Sequence, residues 1–219
     1  MIGIRTLLKI GTAESGNFGH AGRPGEIGGS SSEGEAFLKE GRFSSLDEWE
    51  GSLNKEQRDS LQTWMYIAYA QMRDSDKRGD SESHWGKALG NLKQALSTAP
   101  IYTEELYRGI RADIKLSVGD KVSMSAISSF STNIAVGKTF AVTTPEGKLT
   151  SLSTKFTVLA VVKHSGAERL PRKPVKGTYE TEAVFRKGRE FKVASVEKME
   201  IKRPGGKVWK GKKINLEEV

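Results

Sequence analysis

The chain has 219 residues, with 35 Lys or Arg against 27 Asp or Glu, and a formal net charge of +8. With 36% hydrophobic residues, it can build a sizeable core as one domain with an appendage or as two small ones. The absence of cysteine excludes disulfides, thiol nucleophiles and thiolate metal sites, and His20, His84 and His164 lack the spacing of a zinc site.

Residues 1–43 read as a flexible Gly/Ser-rich segment. Nine of the 24 glycines fall within the first 34 residues, and such a stretch buries too little apolar surface to offset its ordering entropy. It has no GxGxxG framed by strand and helix and no Walker lysine, so it is not expected to cradle phosphate. Residues 1–10 lack the apolar core and cleavage site of a signal peptide. The longest apolar run, 158–162, is too short to span a bilayer, so no membrane partner is expected.

Residues 44–219 read as the folded unit, with a helical part over 44–100 and a β-rich part over 101–219. Ser45 is placed to cap a helix whose first turn carries Asp47 and Glu48. Leu53, Leu61, Trp64, Met65, Ala68 and Met72 recur at three- and four-residue spacing and predict one amphipathic helix over 53–74. The polar run DSDKRGDSES ends it. A further helix over 84–99 presents Trp85, Leu89, Leu92 and Leu96, and Pro100 stops it. The Trp and Met residues read as core.

From residue 105 the period shortens to that of strands: 106–110, 121–124, 156–162, 183–185, 190–196, and a hairpin about Pro204-Gly205-Gly206-Lys207. No βαβ alternation follows, so the expected class is α+β, with N-terminal helices packed on mostly antiparallel strands. Charge is uneven. Residues 1–52 hold five Lys/Arg and eight Asp/Glu, whereas residues 155–213 hold 17 and six. The basic C-terminal third is a solvated lysine face or a surface for nucleic acid or an acidic protein; it lacks the interleaved aromatics of a single-strand platform.

Three polar signals stand in apolar surroundings. Arg108 lies in LYRGI, Ser131 and Thr132 in SSFSTN before a predicted helix over 134–140, and Glu180 and Glu182 in YETEAVF. Singly they read as a surface or ion-paired arginine, a helix N-cap and a solvated strand face. In this order, with Leu116-Ser117-Val118-Gly119-Asp120 between and Gly188-Arg189-Glu190-Phe191 after, they resemble the mono-ADP-ribosyltransferases of the Arg–Ser–Glu class over about residues 53–201.

That resemblance implies a two-sheet core and NAD+ as substrate, with no metal. Arg108 would anchor the diphosphate, its planar fork matching phosphate oxygens. Gly109 would let the ligand approach the backbone. Ser131, supported by Thr132, would order the catalytic glutamate and the nicotinamide pocket, and Phe140 would line that pocket or pack in the core. Glu182 would be the essential carboxylate. Tyr179 and Glu180 would recognise the acceptor, and Glu-Thr-Glu points to arginine on an acceptor protein. Residues i and i+2 of a strand share a face, which would set Glu180 and Glu182 about 6–7 Å apart. The chain departs from the pattern at two places. The family's aromatic, spacer, Ser-Thr-Ser becomes Ser129, Phe130, Ser131-Thr132-Asn133.

Residues 16–30 also resemble a tract of bacteriophage head-morphogenesis proteins. This implies a virion-associated protein with phage head proteins as partners; the transferase resemblance adds a toxin-like character, and without a signal peptide the expected location is the virion or the host cytoplasm. The alternatives are an NAD+ glycohydrolase, transfer to nucleic acid, and a structural phage module without turnover.

Overall fold

The computed structural model describes residues 8–10, 43, 45–143, 148–151, 153–171, 173–175, 178–202 and 205–219. The phage-like tract lies outside them. The segment expected to be flexible contributes one strand, β1 (Leu8–Ile10), which runs parallel to β4 (Lys121–Met124).

Four helices come first: α1 (Leu46–Ser52), α2 (Lys55–Tyr66), α3 (Tyr69–Arg78) and α4 (His84–Leu96). Their starts are encoded locally. Ser45 Oγ accepts from Glu48 N, Asn54 and Gln57 form a reciprocal capping box, and Ser83 Oγ accepts from Gly86 N. The single helix expected over 53–74 is instead two. At Ile67–Ala68 the backbone N–H groups of both residues converge on the Thr63 carbonyl, at 3.0 and 2.8 Å, and the chain restarts as α3. Ile67 is left 74% exposed at the break. α3 also runs on into the expected polar break, because Asp76 is a buried tie. Its carboxylate accepts from Lys93 Nζ on α4 and from Ile127 N, and its carbonyl accepts from Lys187 Nζ.

The strands are β2 (Ile101–Tyr102), β3 (Leu106–Ile110), β4, β5 (Ser128–Ser131), β6 (Phe156–Lys163), β7 (Ala167–Arg169), β8 (Lys173–Val175), β9 (Thr178–Glu180), β10 (Glu182–Phe185), β11 (Glu190–Lys202) and β12 (Val208–Glu218). Helix α5 (Ile134–Val142) follows β5. Ten strands form one mixed sheet in the order β1-β4-β11-β12-β6-β3-β5-β10-β7-β2, and β8 and β9 pair apart from it. Only β1–β4 and β12–β6 are parallel among these pairings. The fold class is therefore α+β, as expected. The expected two sheets are fused: β3 and β5 meet at a single registered pair, Tyr107↔Ser131, whereas β3 and β6 share five. The molecule thus has two blades joined at one point. The β11–β12 turn forms where expected, with Gly205 and Gly206 at φ 90° and 80°.

One core gathers Trp49, Leu61, Trp64, Met72 and Leu92 from the helices against Ile127 and Val184 of the smaller blade. A second fills the strand region with Leu106, Phe130, Leu159, Phe185, Phe191 and Ile214. Trp49, Trp64, Met65 and Met72 are core, in line with their spacing, and Trp85 packs half-buried against it.

Candidate active site

The point where the blades meet holds the polar residues singled out in the sequence. On β10, Glu182 is in register with Ser131 of β5, and Ser131 is in register with Tyr107 of β3, the neighbour of Arg108. Direct cross-strand partners place their Cβ atoms about 5 Å apart on one face. Along β10 that face continues to Val184, which packs in the helix-facing core, so Ser131 and Glu182 stand at the rim of the helix side. Ser131 is buried and Glu182 half-buried.

Arg108 is half-buried, and three contacts aim it. One terminal nitrogen donates to the Ser129 carbonyl at 2.8 Å, and the other donates to Tyr69 Oη at 3.3 Å. The guanidinium carbon lies 5.8 Å from the centroid of the Phe130 ring. Phe130 therefore belongs to the site as a platform, one position from where the family pattern has its aromatic. Tyr69 opens α3, so the break between α2 and α3 is what brings a helix residue to Arg108.

Ser131 Oγ accepts from Asn133 N at 3.1 Å, and Asn133 Oδ1 accepts from Ala135 N at 2.8 Å. The N-cap of α5 is Asn133, not the Ser-Thr pair before it. That accounts for Asn at the third position of the motif: it starts α5 and leaves Ser131 oriented by a backbone N–H. Thr132 ties the strands at the same level, donating N–H at 3.1 Å and Oγ1 at 3.4 Å to the Thr181 carbonyl.

Three expectations change. The Cβ position of Gly109 faces α5: a Cβ there would sit 2.1 Å from the Gly137 carbonyl oxygen and 2.4 Å from Ala141 N. Its missing side chain lets α5 lie on β3. Phe140, on the same helix, is 40% exposed, which removes the core-packing reading. Glu180 and Glu182 are not consecutive same-face residues of one strand. Glu180 ends β9, where it registers with Lys173 of β8, and Glu182 begins β10. Thr181 intervenes, its carbonyl drawn to Thr132. Tyr179 registers with Pro174 in the same small sheet.

Two residues escaped the sequence reading. Tyr69 contacts Arg108 as described. Arg73, one turn further along α3, is only 5% exposed. Burial, with Arg108 adding to it, lowers the pKa of Arg73 from its ordinary value. The Tyr69–Arg73 spacing of four was the available signal, hidden beside the apolar stripe that includes Ala68 and Met72. Among the described residues, no group of three or more His, Asp and Glu side chains is placed to hold a metal ion.

Solved structures share this architecture. The Vis toxin, an ADP-ribosyltransferase from Vibrio splendidus, superposes with a TM-score of 0.52 at 22% identity, covering 78% of this chain and 76% of that one. Its complex with agmatine gives 0.54 at 20% identity, covering 80% and 82%. C3larvin, an ADP-ribosyltransferase from Paenibacillus larvae, gives 0.51 at 13%, covering 80% and 92%. The fold is that of the ADP-ribosyltransferases. The enzymatic component C2-I of the Clostridium botulinum C2 toxin gives 0.55 at 14%, with this chain matching 46% of its length. No family model and no curated protein matches the sequence.

Proposed function

We propose that the protein is a mono-ADP-ribosyltransferase that moves ADP-ribose from NAD+ to an arginine of an acceptor protein. The observation that carries this reading is the register at the blade junction. It gathers Arg108, Ser131 and Glu182, distant in sequence, in a fold shared with such enzymes.

The chemistry suits these groups. The bond between the nicotinamide nitrogen and ribose C1′ breaks, and its electron pair leaves with neutral nicotinamide, so no strong acid is needed. Ribose develops oxocarbenium character, and a fixed carboxylate stabilises it; Glu182 is that group. Arg108, held by a carbonyl, a hydroxyl and a ring, offers a preset fork for diphosphate oxygens. An acceptor guanidinium nitrogen then bonds to C1′ and gives up its proton, with Glu180 as the acceptor-side carboxylate. The Vis–agmatine complex supports a guanidinium acceptor, because agmatine carries that group.

The test is nicotinamide release from NAD+ by the purified protein, with and without bacterial lysate, alongside radiolabelled NAD+ to trace the ADP-ribose. Release with label on protein arginine is the expected result. Label in nuclease-sensitive material would move the acceptor to nucleic acid, and release without label would make the protein a glycohydrolase. Folded protein that neither cleaves nor binds NAD+ would overturn the enzyme reading and favour a structural phage module.

A further inference from the structure

Folding sorts the positive charge of the C-terminal third into two sets. Arg186, Arg189 and Lys213 are neutralised by ion pairs with Glu168, Glu218 and Glu197. A second set collects on one face of the β11–β12 hairpin. Asp113 lies at the root of that face and is shared by three lysines, Lys115 at 2.6 Å, Lys155 at 3.8 Å and Lys212 at 2.7 Å. One carboxylate thus offsets one charge of three. Lys212 is also in direct register with Lys198 of β11, and like charges opposite each other in a sheet repel. Side chains alternate along each strand, so Lys198, Glu200 and Lys202 share the face of Lys212 and Lys210. Lys198, Lys202 and Lys210 are exposed and form no ion pair with any described residue. The opposite face carries Met199, Ile201 and Trp209, which pack with Phe156 and Val158 and so fix which side is presented. From the pair Glu200↔Lys210 outward, the two strands pair only with each other among the described residues. A two-stranded ribbon therefore carries the lysines clear of the neighbouring strands.

We propose that this face docks the phosphate backbone of double-stranded nucleic acid without reading its sequence. Its six lysines stand against only Asp113 and Glu200, which suits a rod carrying one negative charge per about 1.7 Å of axis. All six are lysine, a hydrated point charge fit for phosphate, and none is the arginine fork that reads guanine edges. Between Val196 at one end and Val208 at the other, the hairpin's side chains on this face are all charged. A protein partner would call for an aromatic or apolar centre, and a membrane for apolar side chains to insert. A single strand would call for stacking rings, and Trp209 is buried on the other side. A two-stranded ribbon also fits the major groove of a duplex. This docking is separate from the choice of ADP-ribose acceptor and does not rest on the transferase reading.

The experiment is fluorescence anisotropy of a labelled 20-base-pair DNA duplex titrated with the full chain across a range of NaCl concentrations. Wild type is expected to bind at low salt, with log Kd rising against log salt at a slope of about 4. The double variant Lys198→Gln/Lys210→Gln should lower that slope by about 1.8 and weaken binding on the order of tenfold. Glu200→Gln should act in the opposite direction and tighten binding about twofold. Lys77→Gln/Lys87→Gln removes the same charge from exposed positions of α3 and α4 and should leave binding near wild type. Thermal melting checks the fold of each variant. A wild type that does not bind duplex at 50 mM salt overturns the inference without any variant. So does an equal loss in the two double variants, which would make the effect one of net charge. Preference for a polyglutamate peptide, for phosphatidylserine vesicles or for single-stranded DNA also overturns it. The transferase reading fails separately, when wild type neither binds nor cleaves NAD+.

Discussion

Glu182 and Glu180 are two residues apart in sequence and belong to different sheets. Glu182 begins a strand paired on both sides within the main sheet, in register with Ser131 and with its carbonyl accepting from Leu170 N at 2.8 Å. Glu180 ends a three-residue strand whose partner is β8. A pattern that looks like one motif is therefore two mechanical elements separated at Thr181. The group assigned to bond cleavage is built into the frame, and the group assigned to acceptor choice sits on an appended ribbon. On the proposed roles, acceptor preference can change in the ribbon without disturbing the carboxylate assigned to the ribose.

Substitutions can break or sharpen this contrast. The largest effect is expected from Glu182→Gln, which should lower nicotinamide release on the order of 10²–10³-fold with an unchanged melting temperature. Activity within a few fold of wild type would remove Glu182 from the reaction. Next comes the frame itself. Asp76→Ala leaves Lys93 and the Ile127 N–H without their buried partner and should cost about 3 kcal/mol in urea unfolding. A loss below about 1 kcal/mol would show that Asp76 does not tie the helices to the smaller blade. Glu180→Gln should leave NAD+ hydrolysis within about twofold of wild type while labelling of arginine acceptors falls tenfold or more. A parallel fall in both would unite the two glutamates again.

The smallest effect concerns pH. Glu168 on β7 is buried, and burial raises its carboxyl pKa despite the Arg186 ion pair at 2.5 Å. Ionisation is therefore costlier in the folded chain. The contribution is fully present below the ordinary glutamate pKa and is lost as pH rises through the raised value, by about 1.4 kcal/mol for each unit of elevation. Relative to Glu168→Gln, wild type should lose unfolding free energy as pH rises from 4 towards neutrality. Parallel curves would contradict this.

The residues at the junction were legible because each carries a local anomaly, a charge or hydroxyl within an apolar strand. Their mutual register was not, since pairing between distant segments, Ser131 with Glu182 and Tyr107 with Ser131, leaves no mark on either segment alone. The break between α2 and α3 was hidden because Trp64, Ala68 and Met72 continue one helical stripe across it. Arg73 was masked by the same stripe. The packing around Gly109 and the spacing of Glu180 from Glu182 were missed for a shared reason: each depended on what lay against the backbone, α5 in one case and a break at Thr181 in the other. Asn133 looked like a defect in a motif until its side chain was seen capping α5.

The single pair Tyr107↔Ser131 leaves a crease in an otherwise continuous sheet. A sheet bends first where the fewest bonds resist, so the angle at this crease sets the span from Arg108 on one side to Glu182 on the other. A molecule gripped at both ends would act as a brace across the fold line, and its length would be measured against that angle.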